Sequence, residues 1–159
     1  PVTGLAEGRP LFVRSANDKF NLANFMRAHL YASVGVLKIG NDILFNEEKI
    51  KVDRITGHGG LFKTKGVGQR ILAAAINSPI SVMETAGEGG AWGIALLAGY
   101  LVNNAEKLSL ADYLDQKVFA GNTGVEIAPT AEDVAGFDKY IETYKAGLAI
   151  EKAAVENKN

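Results

Sequence analysis

Between Lys51 and Val102 the chain runs twice through one arrangement: a strand-like run, a glycine-rich turn and a helix-like run. The first turn is Gly57-His58-Gly59-Gly60 and the second is Gly87-Glu88-Gly89-Gly90. Strand, turn, helix and strand in that order place the chain in the α/β class, with the two strands as neighbours. Each turn is expected to open straight into its helix. The unpaired N–H groups at a helix N-terminus stand at the positive end of its dipole, so each turn is a potential anion site. Glycine adds to this because a phosphate approaches the backbone closely only where no Cβ intervenes.

The remaining composition narrows the classes of function. With 159 residues, 47% of them hydrophobic and 22% charged, the chain is long enough for one soluble domain with a core. A formal net charge of −1 gives no electrostatic argument for nucleic acid or an anionic membrane. Cysteine is absent from the sequence, which removes disulfides and thiolate metal sites and fits a reducing, cytoplasmic compartment. The longest apolar run, Ala91–Val102, is far shorter than the roughly 20 residues a membrane span needs. Pro1-Val-Thr-Gly-Leu carries no signal-like core, and a start of this kind is expected of a piece of a longer chain.

Periodicity gives the remaining elements. Leu11–Arg14 reads as an edge strand or an extended lead-in. Leu22, Phe25, Met26, His29, Leu30, Val34 and Leu37 step by three and four, predicting a helix of about six turns that ends near Phe45. Asn17, Asp18 and Asn21 are its candidate caps. Gly35 and Gly40 inside it are expected to admit a close neighbour. His29 falls on the apolar face, where a packed histidine is the plainer reading than a catalytic one.

Ile50–Ile55 alternates and predicts the strand before the first turn, and Ile80–Met83 a short buried one. The helix between them, capped by Thr64, would bury Val67, Ile71, Leu72 and Ala75, and Asn77-Ser78-Pro79 ends it. Ala91–Val102 is apolar nearly all round and should be covered on several sides, with Trp92 a core residue rather than a stacking platform. Ser109-Leu-Ala-Asp112 opens a short helix ending near Lys117. Gly121–Gly124 is a turn and Val125–Ala128 a short strand. The last helix follows Pro129-Thr130, with Val134, Phe137, Ile141, Tyr144 and Leu148 as its packing stripe. With no repeat and no linker, the chain reads as one domain.

The named motifs do not fit the turns. From Gly57, Lys63 and Thr64 fall where G-x-x-x-x-G-K-[ST] wants them, but Phe62 stands at the second glycine and would block the loop from curling round a phosphate. G-x-G-x-x-G fails at the same Phe62. Two histidines far apart in sequence give no metal centre, and there is no G-x-S-x-G elbow. Either turn alone is ordinarily a connector; the pair on adjacent strands also suits a nucleotide.

Thr56-Gly57-His58-Gly59-Gly60, the Gln69-Arg70-Ile71-Leu72-Ala73 helix and Glu84-Thr-Ala-Gly87-Glu-Gly-Gly90-Ala91-Trp92-Gly93 together resemble the C-terminal domain of FGGY-type carbohydrate kinases. The pentulose kinases, ribulokinase and xylulokinase, are nearest in flavour. The Asn21–Phe45 helix and the Pro1–Leu5 loop fit the same pattern, so the likeness spans roughly Pro1 to Val102. It implies an actin-like, ribonuclease-H-like ATPase fold, here incomplete, with 1–159 as part of the C-terminal nucleotide-binding domain. It implies ATP and Mg²⁺ as cofactors and a pentulose as sugar substrate. The implied ATP-binding residues are Gly57, Gly59, Gly60, Lys63, Thr64, Gly87, Gly89 and Gly90.

His58 departs from the family's first glycine, and Lys63-Thr64 from its small residue and serine. The early strands with their phosphate-binding hairpin have no counterpart here. The sugar pocket and catalytic aspartate belong to the family's other domain, so this chain is expected to be inactive alone. Two alternatives stand beside this reading: a non-catalytic nucleotide-binding or regulatory module of the actin-like superfamily, and a structural α/β domain. No nucleic acid or membrane partner is expected, while a homodimer is compatible with exposed sheet edge and apolar face.

Overall fold

The computed structural model describes residues 3–52, 54–121 and 124–157. It is a helix-rich α/β chain with a small three-stranded sheet, and it divides into two compact units. The first comprises Pro1–Val52, Ile71–Ser78 and Pro129–Asn159; the second comprises Asp53–Arg70 and Pro79–Ala128.

In the first unit, helix α1 (Leu22–Asp42) is capped by Asn21, whose Oδ1 accepts from the Asn24 N–H at 2.9 Å. The expected run to Phe45 instead finishes in a π turn, Ile43–Glu47, before Lys49 enters the left-handed region at φ 56°. The last helix, here α5 (Ala131–Glu156), is capped by the Thr130 hydroxyl accepting from Asp133 N–H at 3.1 Å. Its expected stripe packs inward, with Phe137 fully buried and Ile141 nearly so.

Tyr31 of α1 meets the rings of Phe137 and Tyr140 at 4.9 and 5.1 Å. Gly35 admits Tyr144, whose ring would lie 3.4 Å from an added Cβ; at Gly40 a Cβ would meet nothing, so that glycine serves no close approach. The segment 11–14 belongs to no helix and to no strand of the sheet. Phe12 leans on Phe25, with centroids 5.1 Å apart, and Phe25 on His29 at 4.5 Å, so His29 is an aromatic neighbour on an exposed face.

The second unit holds the sheet, in the order β1 (Ile55–Gly57), β2 (Ile80–Val82), β3 (Val125–Ile127). β1 and β2 are parallel, with Ile55 opposite Ile80 and Gly57 opposite Val82. β2 and β3 are antiparallel. The strand expected from Ile50 shrinks to three residues, because β2 offers β1 three register partners and Ile50 to Val52 have none in the sheet. Ile80 and Ser81 are buried.

Helix α2 (Val67–Ile76) begins in this unit and ends in the other. Its buried Gln69 donates through Nε2 to the carbonyls of Ile80 and Val125, at 2.6 and 2.7 Å, tying the helix start to two strands. Leu72 and Ala75 are buried as expected, whereas Val67 is 42% exposed at the first turn of the helix. The helix ends at Ile76, and Asn77 turns at φ 48° before Pro79.

α3 (Gly89–Asn103) forms where expected but is not covered. None of its residues is buried, and Leu101 and Val102 are each 82% exposed. Its length and composition suit a helix packed on all sides, yet the elements of this unit leave most of its surface open. α4 (Leu110–Tyr113) starts at Ser109, whose hydroxyl accepts from the Asp112 N–H at 3.1 Å, and runs into a π turn, Leu114–Val118. In the expected turn at Gly121–Gly124, Asn122 and Thr123 lie outside the described residues. Among those described, no helix is long and apolar enough to cross a membrane.

Candidate functional site

Because β1 and β2 run parallel, the segments leaving them start at the same rim of the sheet, the carboxyl ends of the strands. In open α/β sheets that rim is where ligands bind. The first corner does not open straight into α2. Phe62 folds its ring back onto Gly57, where an added Cβ would collide with it, and Gly60–Phe62 make a single 3₁₀ turn before the chain reaches α2. The second corner does open into a helix: a 3₁₀ turn, Glu84–Glu88, runs directly into α3.

The corners are joined to each other. Gly59 donates its N–H to the Ala86 carbonyl at 2.7 Å, and Ala86 is buried. Gly59 has φ 105° and ψ −178°, a conformation that is almost exclusively glycine's. The sequence motif therefore has a local cause: only glycine at 59 lets the chain leave β1 at an angle that brings it against the second corner.

A groove of about 420 Å³ opens beside this junction, lined by His58, Gly59, Gly89, Gly90, Trp92 and Gly93, and walled further along by Leu96, Leu97, Leu114 and Phe119. That volume lies in the range of small-molecule sites. Its walls are apolar and its floor at one end is bare backbone. Trp92, read from the sequence as core, is a half-exposed wall residue packed on Phe119, with centroids 5.6 Å apart. Gly89 gives room to His58, whose Nδ1 would stand 3.2 Å from a Cβ there; at Gly90 a Cβ would meet nothing and would project into open space.

Of the eight residues expected at a nucleotide, Gly59, Gly89 and Gly90 line the groove. Gly57 is buried beneath Phe62, and Gly60 faces open space next to Gly59. Thr64 is exposed; its carbonyl accepts from Val67 N–H at 3.3 Å. Lys63 crosses to the second corner, its stem passing over Gly87 and its Nζ reaching Glu88 Oε1 at 2.7 Å. The Lys63 hydrogen bond, followed by its charge, holds the Glu88 carboxyl below the usual carboxylate range. Phe119, Leu114 and Leu96 carry no sequence signal of a groove residue. All three carry the ordinary signature of core residues, and only the fold turns them toward one opening. Glu88 was passed over as a member of the turn.

Among the described residues no group of three or more His, Cys, Asp or Glu side chains could hold a metal ion. A Mg²⁺ here would have to arrive on a ligand's own oxygens, as it commonly does on phosphates. The backbone is bare at Gly59 and Gly90, where a Cβ would meet nothing, while at Gly89 it lies under His58, and an apolar wall lies alongside.

Paired corners on parallel strands, sharing one rim and one groove, define an α/β protein with an open groove at the carboxyl ends of its strands. Residues 2–102 match the family model described as FGGY family of carbohydrate kinases, C-terminal domain. That match covers more than half of the sequence, and the chain belongs to this family of carbohydrate kinases. No curated protein matches the chain, and neither does any solved structure.

Proposed function

We propose that the chain is part of the C-terminal nucleotide-binding domain, of actin-like architecture, in a cytoplasmic ATP-dependent pentulose kinase. It supplies one wall of the ATP site. The observation that carries this reading is the hydrogen-bonded pair of glycine corners at one rim, opening onto a groove of ligand size, in a chain of the carbohydrate kinase family. The purine would lie against the apolar wall formed by Trp92, Leu96 and Leu97 of α3 with Leu114 and Phe119. The phosphates would run over the bare backbone of Gly59 and Gly90, beside Gly89, toward Gly60, Lys63 and Thr64, and Mg²⁺ would come with them to offset their charge.

Phosphoryl transfer requires the acceptor hydroxyl, a base and the γ-phosphate held in line. This wall positions the donor; the sugar and its base come from the family's other domain. The 159-residue chain by itself therefore gives no turnover on ribulose or xylulose, and measurable phosphorylation of either by the purified chain would overturn that division of labour.

Titration with ATP·Mg²⁺, followed by amide NMR, tests the site. The expected result is saturable shifts at Gly59, Gly60, Gly89, Gly90 and the Trp92 indole. Gly90→Val should leave the fold intact, since its side chain enters open space, and should weaken binding by about tenfold or more by filling the groove. Shifts elsewhere with these residues silent would refute the assignment. A non-catalytic nucleotide-binding module would bind equally well but would not support sugar phosphorylation when supplied with the sugar-binding domain of a carbohydrate kinase of this family.

A further inference from the structure

Glu88 occupies the N-cap position of α3, yet its carboxylate does not cap the helix. It accepts instead from Lys63 of the other corner, at 2.7 Å. The lysine can reach it because residue 87 is glycine: a Cβ there would stand 3.0 Å from the Lys63 Cγ and 3.4 Å from its Cε. The ion pair therefore closes a bridge over the second corner, between two turns already joined by the Gly59–Ala86 hydrogen bond. Both side chains are largely exposed, at 58% and 74%, so water and mobile ions compete for each partner.

We propose that Glu88, next to the groove residue Gly89, competes with ligand phosphates for the Lys63 ammonium, which a polyphosphate takes only by displacing the carboxylate. The inference rests on the groove being the nucleotide site, and it adds to that reading an internal competitor for the phosphates. A triphosphate presents several anionic oxygens against the single charge of Glu88 and takes the ammonium. A nucleoside or nucleobase presents none and leaves the bridge closed. Glu88 acts through Lys63 and is a positioning residue. Exposed pairs of this kind are weak, so the effect is small, about twofold to fivefold in affinity.

The test compares wild type, Glu88→Gln, Lys63→Met and the double variant by calorimetry, with ATP·Mg²⁺, inorganic tripolyphosphate and adenosine as probes. Glu88→Gln should bind ATP·Mg²⁺ and tripolyphosphate about twofold to fivefold more tightly and adenosine unchanged. The gain should vanish in the double variant and shrink as salt is raised. In the wild type, adding tripolyphosphate should move the Glu88 carboxyl resonance toward that of Lys63→Met.

ATP bound equally by wild type and Glu88→Gln would overturn the competition for Lys63 while leaving the groove assignment standing. Adenosine tightening along with ATP would overturn it too, because the effect would then be steric. Absence of ATP binding by every variant would overturn both readings.

Discussion

Gly59 and Gly60 look interchangeable in sequence, but the backbone separates them. At φ 105° Gly59 lies where an L-residue is strained, while Gly60 makes an ordinary 3₁₀ turn with nothing within 4 Å of an added Cβ. Gly59→Ala should therefore cost about 1–3 kcal/mol of stability, and Gly60→Ala should stay within about 0.5 kcal/mol. Urea unfolding of the two variants decides the matter; equal losses would mean that the corner is held by something other than backbone conformation. The sequence made the need for glycine here legible, since no other residue suits close backbone approach. It did not make legible which glycine faces solvent, which sits under Phe62 and which makes room for His58. Those roles follow from how Phe62 and His58 turn, and periodicity carries no information on a turn residue's side-chain direction.

The caps Asn21 and Ser109 and the long stripes were legible, because those side chains act on backbone three residues away and the α5 stripe needs only a constant step. The expected cap Thr64, by contrast, stands three residues before α2 begins at Val67. Strand length was not, since it is set by how many residues the neighbouring strand offers. The environment of α3 was the largest misreading. An apolar helix has the same composition whether the surrounding chain covers it or leaves it open. The structure leaves Ile94 69% and Leu101 82% exposed. Leu101→Glu is accordingly expected to change the stability of this chain by less than about 0.5 kcal/mol, because leucine and glutamate have similar helix propensity and little burial is lost. A shift in the urea midpoint equivalent to about 2 kcal/mol or more would show instead that this position is buried in solution, by another copy or by a rearranged chain.

On the scale of the whole molecule, the two units divide the titrating chemistry between them. The groove and the neighbouring Lys63–Glu88 bridge belong to the second unit, and the perturbed tyrosines to the first. Burial, followed by the neighbouring Tyr144, pushes the Tyr140 hydroxyl up from 10.0 to about 12. Tyr144 is raised as well, by burial and then by Glu151. A group whose folded value lies above its unfolded value favours the fold fully below the unfolded value. That contribution is lost as pH rises, because the unfolded chain ionises first. Stability of the first unit should thus hold up to about pH 10 and fall progressively toward pH 12. Tyr140 packs against Tyr31 and Phe137, contacts a phenylalanine ring keeps. Tyr140→Phe should therefore match the wild type near neutrality and lose less stability between pH 10 and 12. Thermal unfolding followed across that range measures both slopes. Parallel curves for the two proteins would mean that Tyr140 ionises as readily in the folded chain as in the unfolded one, and that the α1–α5 packing leaves its hydroxyl in water.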